Sequence, residues 1–467
     1  MPRVTTLLPA TEDAIPILCV DAAGWPSVAA ALPPLAAAFA TATGFEAKPG
    51  RTALLPGPDG ALACVLFGVE AGDRADPFAV GRLPDALPEG TYRLESLPGD
   101  PALAALAWRL SGYRFGRYRE KPAPKARLVA PEGVDAAEID RIAAAVAAGR
   151  DLVNTPANDL GPAEIEAAAR ALAARFGAAV TVVSGQALDE GFPLIAAVGR
   201  ASPRAPRLID LTWGDSGAPR VTLVGKGVVF DTGGLDIKPS AAMLLMKKDM
   251  AGAAVALAAA EMVMGAGLPI RLRVLVPTVE NAIAGDAFRP GDVLASRKGL
   301  TVEIGNTDAE GRLILADALA LADEEAPELV FDFATLTGAA RVALGPDLPA
   351  LFTEDDGLAA ELTETGLAVN DPVWRMPLWA PYGSLLESKV ADINNVSGGP
   401  FAGAVTAALF LRRFAPAAKA HIHLDLYGWN PSTKPGRPEG GEVQTARLVY
   451  ALLKRRYAVA RDARSAS

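Results

Sequence analysis

From about residue 160 onward, short apolar runs alternate with stretches of helical periodicity, and this alternation limits the fold more than any other feature. Ala179–Val183, Leu208–Trp213, Val221–Val224, Arg271–Pro277 and Glu328–Ala334 read as strands, and Leu194–Val198 as a strand or core segment. Ala163–Phe176 and Leu244–Met264 read as helices. Strands that are apolar along nearly their whole length are buried on both faces, and the intervening helices supply the cover. The expected fold is therefore α/β, with a mostly parallel sheet covered by helices on both faces. Ligands of such sheets gather beyond the carboxyl ends of the strands.

Residues 1 to about 125 alternate shorter strands (Ile15–Val20, Ala61–Val69, Thr91–Glu95) with Ala-rich helical stretches (Trp25–Ala42, Pro101–Tyr113). Their acids and arginines are scattered, so a small non-catalytic α/β domain is expected over 1–130. The Pro-rich stretch from Lys121 to Arg127 reads as a linker, and Ala136–Val153 as a bridging helix. The chemistry is then expected within 131–467.

The formal net charge of −9 and pI near 5.1 speak against a general nucleic-acid or anionic-membrane binder. The first residues lack the order of a signal peptide, and no window reaches the ~18 uninterrupted apolar residues of a membrane span. A soluble, cytoplasmic protein is expected. Cys19 and Cys64 are the only cysteines, each in an apolar run, and are expected to be buried, reduced and inert. His421 and His423 are the only histidines, in an alternating strand-like run. They read as satisfied strand residues, so any catalysis must rest on carboxylates and lysines.

Asn306-Thr-Asp-Ala-Glu-Gly-Arg-Leu313 follows a short strand and precedes an apolar helix, which puts Asp308 and Glu310 on the connecting loop. A single acid there is an ordinary helix-start residue. Arg312 does not fit that account, because a cation at a helix start opposes the dipole. Two acids two residues apart on a loop are able instead to aim oxygens at one metal ion. Upstream, Val221 to Ser240 holds Lys226, Asp231 and Lys238 among Gly225, Gly227, Gly233 and Gly234. Its spacing fails the phosphate-loop pattern. Asp249 follows two lysines and precedes the next apolar helix, where an acid is commonly a cap. Together these acids would crowd the strand-end rim and repel one another. Two divalent ions nearly balance four carboxylates, and a shared carboxylate holds such ions ~3.5–4 Å apart. Lys226 is an unusual ligand, because only its neutral form coordinates a metal.

Val224-Gly-Lys-Gly-Val-Val-Phe-Asp-Thr-Gly-Gly-Leu-Asp-Ile-Lys-Pro239, Met246-Lys-Lys-Asp-Met-Ala-Gly-Ala-Ala254 and the Asn306 motif resemble the leucyl (cytosol) aminopeptidase family of di-metal peptidases. Phe333–Ala339 and the runs from Ala391 and Ala402 extend the resemblance over roughly 150–455. It implies a metal-dependent aminopeptidase acting on peptides with a free N-terminus through a two-metal-activated water. Asp231 and Glu310 would bridge two ions, Zn²⁺ or Mn²⁺. Lys226 and Asp249 would complete the tighter site and Asp308 the more exchangeable one. Lys238 would polarise the scissile carbonyl, and Arg312 would hold a bicarbonate general base. Met246, Thr335 and Gly338 match side-chain pocket positions, and the implied assembly is a homohexamer. Tyr427 and Trp429 depart from the pattern, being bulky where many leucine-preferring members carry small residues. Rival expectations are a nucleic-acid binder, which the acidic balance disfavours, and a structural oligomer without metal.

Overall fold

The computed structural model describes residues 6–72, 75–97 and 99–458. They form two compact units. One runs up to Ala147 and includes Ser432–Glu439; the other comprises Ala148–Pro431 and the chain from Gly440. The sequence places the change of domain near 130, whereas packing divides the chain inside the helix Ala136–Asn154.

In the first unit, β1 (Ile15–Val20), β2 (Thr52–Pro56), β3 (Leu62–Gly68), β4 (Gly90–Ser96) and β5 (Ala126–Leu128) form a sheet in the order β2-β3-β1-β4-β5. The helix expected over Trp25–Ala42 is two helices, Trp25–Ala31 and Pro34–Ala42. Leu32 and Pro33 each precede a proline, which pushes them out of the helical region to ψ 145° and 146°. Cys19 is buried, but Cys64 on β3 is only half-buried, contrary to the expectation for both.

The second unit runs through β6 (Ala179–Ser184), β7 (Arg207–Trp213), β8 (Arg220–Gly225), β9 (Gly227–Asp231) and β10 (Arg271–Asn281). It continues through β11 (Val293–Ala295), β12 (Thr301–Glu303), β13 (Leu329–Ala334), β14 (Ala350–Phe352), β15 (Trp374–Arg375), β16 (Ile393–Asn394) and β17 (Ala420–Asp425). The main sheet has the order β15-β14-β17-β13-β8-β10-β7-β6, with β9 also pairing β10. Its centre is parallel, from β17 through β13 and β8 to β10. The flanking pairs β14–β17, β10–β7 and β7–β6 are antiparallel.

Val224, Leu275 and Val330 share one apolar core with Leu315 and Leu319 of the helix Glu310–Asp323, Ile195, and Phe410 of the helix Gly403–Arg412. Strand alternation turns Leu223, Val274 and Phe331 to the other face. There the helix Ala251–Gly265, buried along nearly its whole length, packs on β8, β10 and β13. No helix among the described residues is long and apolar enough to cross a membrane.

Leu194–Val198 is not a strand but lies in the helix Pro193–Gly199. An apolar run buried on every side has no periodicity to separate the two states. Here Pro193 occupies the first helical turn, and Asp317 Oδ2 accepts the Leu194 and Ile195 amides at 2.8 and 3.3 Å. Asp317 Oδ1 also accepts the Arg297 amide at 2.8 Å. The carboxylate thus ties a helix start and a loop to Glu310–Asp323. Asp317→Ala strips three amides of their acceptor and is expected to lower unfolding stability by about 2–4 kcal/mol, read as a shifted urea midpoint.

Candidate metal centre

Lys226 is the single residue between β8 and β9. Its amide donates to the Phe333 carbonyl and its own carbonyl accepts from the Ala253 amide, both at 2.9 Å. So fixed, the 3% exposed side chain puts its ammonium 2.8 Å from Asp249 Oδ2 and 2.9 Å from Glu310 Oε1. It donates to the Thr335 carbonyl at 3.1 Å. Gly311 makes room for it, because a Cβ there would lie 2.4 Å from Lys226 Cε. In the sequence Gly311 reads only as a spacer between an acid and an arginine.

Asp231 ends β9. Its Oδ1 accepts from the Gly233 amide at 2.9 Å and from Asn281 Nδ2 at 2.8 Å. The loop beyond it turns through Gly233 and Gly234, at φ +88° and +65°, a conformation that favours glycine. This turn returns Lys238 to the site, with its ammonium 2.8 Å from Asp231 Oδ2 and paired with Asp308 Oδ1. Asp249 lies on a 3-10 turn, Met246–Met250, rather than in the long helix expected from Leu244; that helix begins at Ala251. Thr335 Oγ1 donates to Asp249 Oδ1 at 2.7 Å. Glu310 is the first residue of its helix rather than a loop residue.

One carboxylate oxygen from each of Asp231, Asp308 and Glu310 lies within 4.8 Å of the others. Lys226, Asp249 and Lys238 join the group through their ion pairs, so the five expected ligands and the expected carbonyl-polarising lysine converge. Four carboxylates here face two ammonium groups. Neither oxygen of Glu310 has a hydrogen-bond partner, although one lies within ion-pair distance of Lys226. Burial pushes the Glu310 carboxyl well above its usual range, and repulsion from Asp231 adds to this. Burial and Asp231 push Asp308 up to about 6 against the pull of Lys238. Burial disfavours the charge on both lysines, but Asp249, Glu310 and Asp231 raise Lys226, and Asp231 and Glu310 raise Lys238. An oxygen-rich donor set with surplus negative charge and unpartnered buried oxygens fits a divalent cation.

Arg312, buried in the first turn of the same helix, points away from the acids. Its Nη1 donates to the Asn395 carbonyl at 2.5 Å, while Nε has no hydrogen-bond partner. Burial brings its pKa down to about 10. It lines a cavity of about 650 Å³ with Asn306, Asn394, Ser397 and Thr406. Asn395 also accepts from the Gly305 and Asn306 amides and donates to the Asn306 carbonyl. Thr307 Oγ1 donates to the Gly233 carbonyl at 2.6 Å. Asn281, Thr307 and Asn395 hold both acidic loops and were not singled out, because their partners lie far along the chain.

Met246 is half-buried, Thr335 buried and Gly338 exposed at a helix start. One ring nitrogen of each histidine is paired, His421 Nε2 and His423 Nδ1 lying 2.6 and 2.5 Å from the two oxygens of buried Asp332. His423 Nε2 is buried without a hydrogen-bond partner, contrary to the expectation of fully satisfied histidines.

Residues 147–453 match the Cytosol aminopeptidase family, catalytic domain, and residues 15–131 match the M17 aminopeptidase, N-terminal domain. The chain belongs to the cytosol aminopeptidase family. A probable cytosol aminopeptidase of Syntrophotalea carbinolica is 42% identical over 364 residues, 74% of this chain and 73% of that one. The crystal structure of the cytosol aminopeptidase of Coxiella burnetii is similar with a TM-score of 0.93 and 45% identity, covering 97% of this chain and 99% of that one. The bottromycin maturation enzyme BotP in complex with Mn is similar at a TM-score of 0.86 and 35% identity, covering 94% and 99%. The protein is thus a peptidase of a metal-dependent aminopeptidase family.

Protonated Asp308 and protonated Lys226 are both unable to ligate a cation. Mn²⁺ uptake by chelator-treated aminopeptidase is therefore expected to release the Lys226 proton and to weaken by about tenfold per pH unit as pH falls, and more steeply below about 6, where Asp308 must give up a proton as well. Calorimetric titration in buffers of differing ionisation heat checks both.

Proposed function

We propose that this aminopeptidase releases the N-terminal residue of peptides using two divalent ions, Zn²⁺ or Mn²⁺, held by Lys226, Asp231, Asp249, Asp308 and Glu310. The observation that carries the reading is Glu310, a buried carboxylate with both oxygens lacking hydrogen bonds, between Lys226 on one side and the Asp231–Asp308 pair on the other. When bound, the ions supply Lewis-acid charge for a substrate amino group and for an attacking water.

The remaining chemistry falls to the chain itself. Asp231 keeps one oxygen on Asn281 and the Gly233 amide, which leaves the other facing inward in a fixed orientation. Lys226 gives up its proton on becoming a ligand, because only the free amine has a lone pair. Lys238 stays cationic, held by Asp231 and Asp308, and places positive charge where a carbonyl oxygen gains negative charge. Arg312 offers an unpartnered N–H beside the cavity, and a guanidinium suits a planar anion such as bicarbonate, the proposed general base. None of these residues lies in 1–130, so the chemistry is assigned to 131–467. The proposed assembly is a homohexamer. Trp374, Trp379 and Phe401, each more than half exposed in the single chain, are apolar surface that association would cover.

Hydrolysis of a leucyl chromogenic amide is expected to vanish with chelator and return with Mn²⁺; persistence in chelator overturns the metal reading. Lys238→Ala is expected to lower kcat by about 10²–10³-fold with metal content, measured by mass spectrometry, unchanged. Loss of both ions from that variant would mean that Lys238 supports the ligands instead.

A further inference from the structure

One cluster beside the site takes no part in this chemistry. Lys248, next to Asp249, is 5% exposed. Among the described residues, its ammonium has no hydrogen-bond or ion-pair partner. It rests on the face of half-buried Tyr427, 4.5 Å from the ring centroid. The guanidinium carbon of Arg341, an exposed residue, lies 5.4 Å from the same centroid. The neighbouring acids are already engaged. Asp249 takes the Thr335 hydroxyl and faces Lys226. Asp425 accepts from the Leu336 and Thr337 amides and the Thr337 hydroxyl.

These cations lie on the elements that carry the candidate side-chain pocket residues. Lys248 follows Met246 on one turn, and Arg341 follows Gly338 by three residues on one helix. Gly428, next to Tyr427, is so close to Thr335 that a Cβ would lie 3.1 Å from its methyl group. A leucine side chain here would offer these cations nothing, and buried Lys248 would be left with only the fields of Asp249 and Asp425, which are paired elsewhere. An acidic side chain removes that penalty.

We propose that the pocket for the first side chain takes a carboxylate, so that peptides beginning with Glu or Asp are preferred substrates. This rests on the aminopeptidase reading above and names the substrate class for the same site. Lys248 and Arg341 are its specificity determinants, with Tyr427 as the platform that spaces them.

The test compares glutamyl, aspartyl and leucyl p-nitroanilides with the Mn²⁺-loaded full chain. The expected kcat/KM for the better acidic substrate exceeds that for leucyl by roughly tenfold or more, chiefly through KM. Lys248→Met and Arg341→Gln should each reduce this ratio by roughly tenfold, with L-glutamate losing potency as a competitive inhibitor in parallel. Arg341 is exposed, so its variant carries the test even where Lys248→Met folds poorly. A leucyl preference in the parent chain, or a ratio that Arg341→Gln leaves unmoved, overturns the inference while the peptidase reading stands. Hydrolysis of none of the three amides sinks the peptidase reading, and this inference with it.

Discussion

Four carboxylates crowd together at the ends of β9 and the loops beside it, with two buried or nearly buried lysines wedged among them. Like charges at this spacing raise one another's pKa, and burial adds to the effect. A fold that only had to be stable would replace these groups with apolar ones, since a buried charge cluster seldom outperforms good packing. Their upkeep here falls to the rest of the unit. The parallel strands deliver Lys226 and Asp231 to the same rim, while the 3-10 turn ahead of the helix Ala251–Gly265 brings Asp249 and the helix Glu310–Asp323 brings Glu310 from opposite faces of the sheet. The lysines balance part of that negative charge, and the unmatched remainder fits a dication.

The scaffold around the acids is made of neutral groups used as rulers. Asn281 ties Asp231 to the Thr307 carbonyl, Thr307 ties the Asp308 loop to Gly233, and Asn395 grips the strand-to-helix turn from three directions. Each bond is modest, but each fixes a carboxylate whose displacement by an ångström would spoil a shared site. Gly311 belongs to the same design by omission: the lysine ammonium fills the space a side chain would occupy.

Much of this was legible in the chain. Apolar strands bounded by glycine and acids predicted a parallel sheet with its chemistry at the strand ends, and the Lys226, Asp231, Asp249, Asp308 and Glu310 set pointed to one place. The local errors share a physical cause. Leu194–Val198 is apolar on every side, so helix and strand look alike until Asp317 caps it. Trp25–Ala42 has helical composition throughout, and only the proline pair decides the break. The helix expected from Leu244 begins only at Ala251, because a 3-10 turn, common at helix starts, carries the chain from Met246 to Met250. Lys248 carried no signal, since beside Lys247 and Asp249 it reads as one more charge in a polar turn. Its isolation is a property of packing, visible only once Tyr427 and Arg341 arrive from distant parts of the chain.

The start of Glu310–Asp323 shows why one short motif does so much. The positive end of the helix dipole suits Glu310 and disfavours Arg312 two residues later. Those two side chains project on different sides of the helix, one to Lys226 and the other to the Asn395 carbonyl and the open cavity. The helix terminus therefore separates an acidic face from a cationic one within a single turn. Gly311 sits on the dividing line, where any side chain would intrude on Lys226. Burial disfavours the charge on Arg312, and the fields of Glu310 and Asp425 offset part of that cost without contacting it. Glu310 thus belongs to the acidic cluster and also favours the charge on Arg312, so neither half of this helix start is arranged independently of the other.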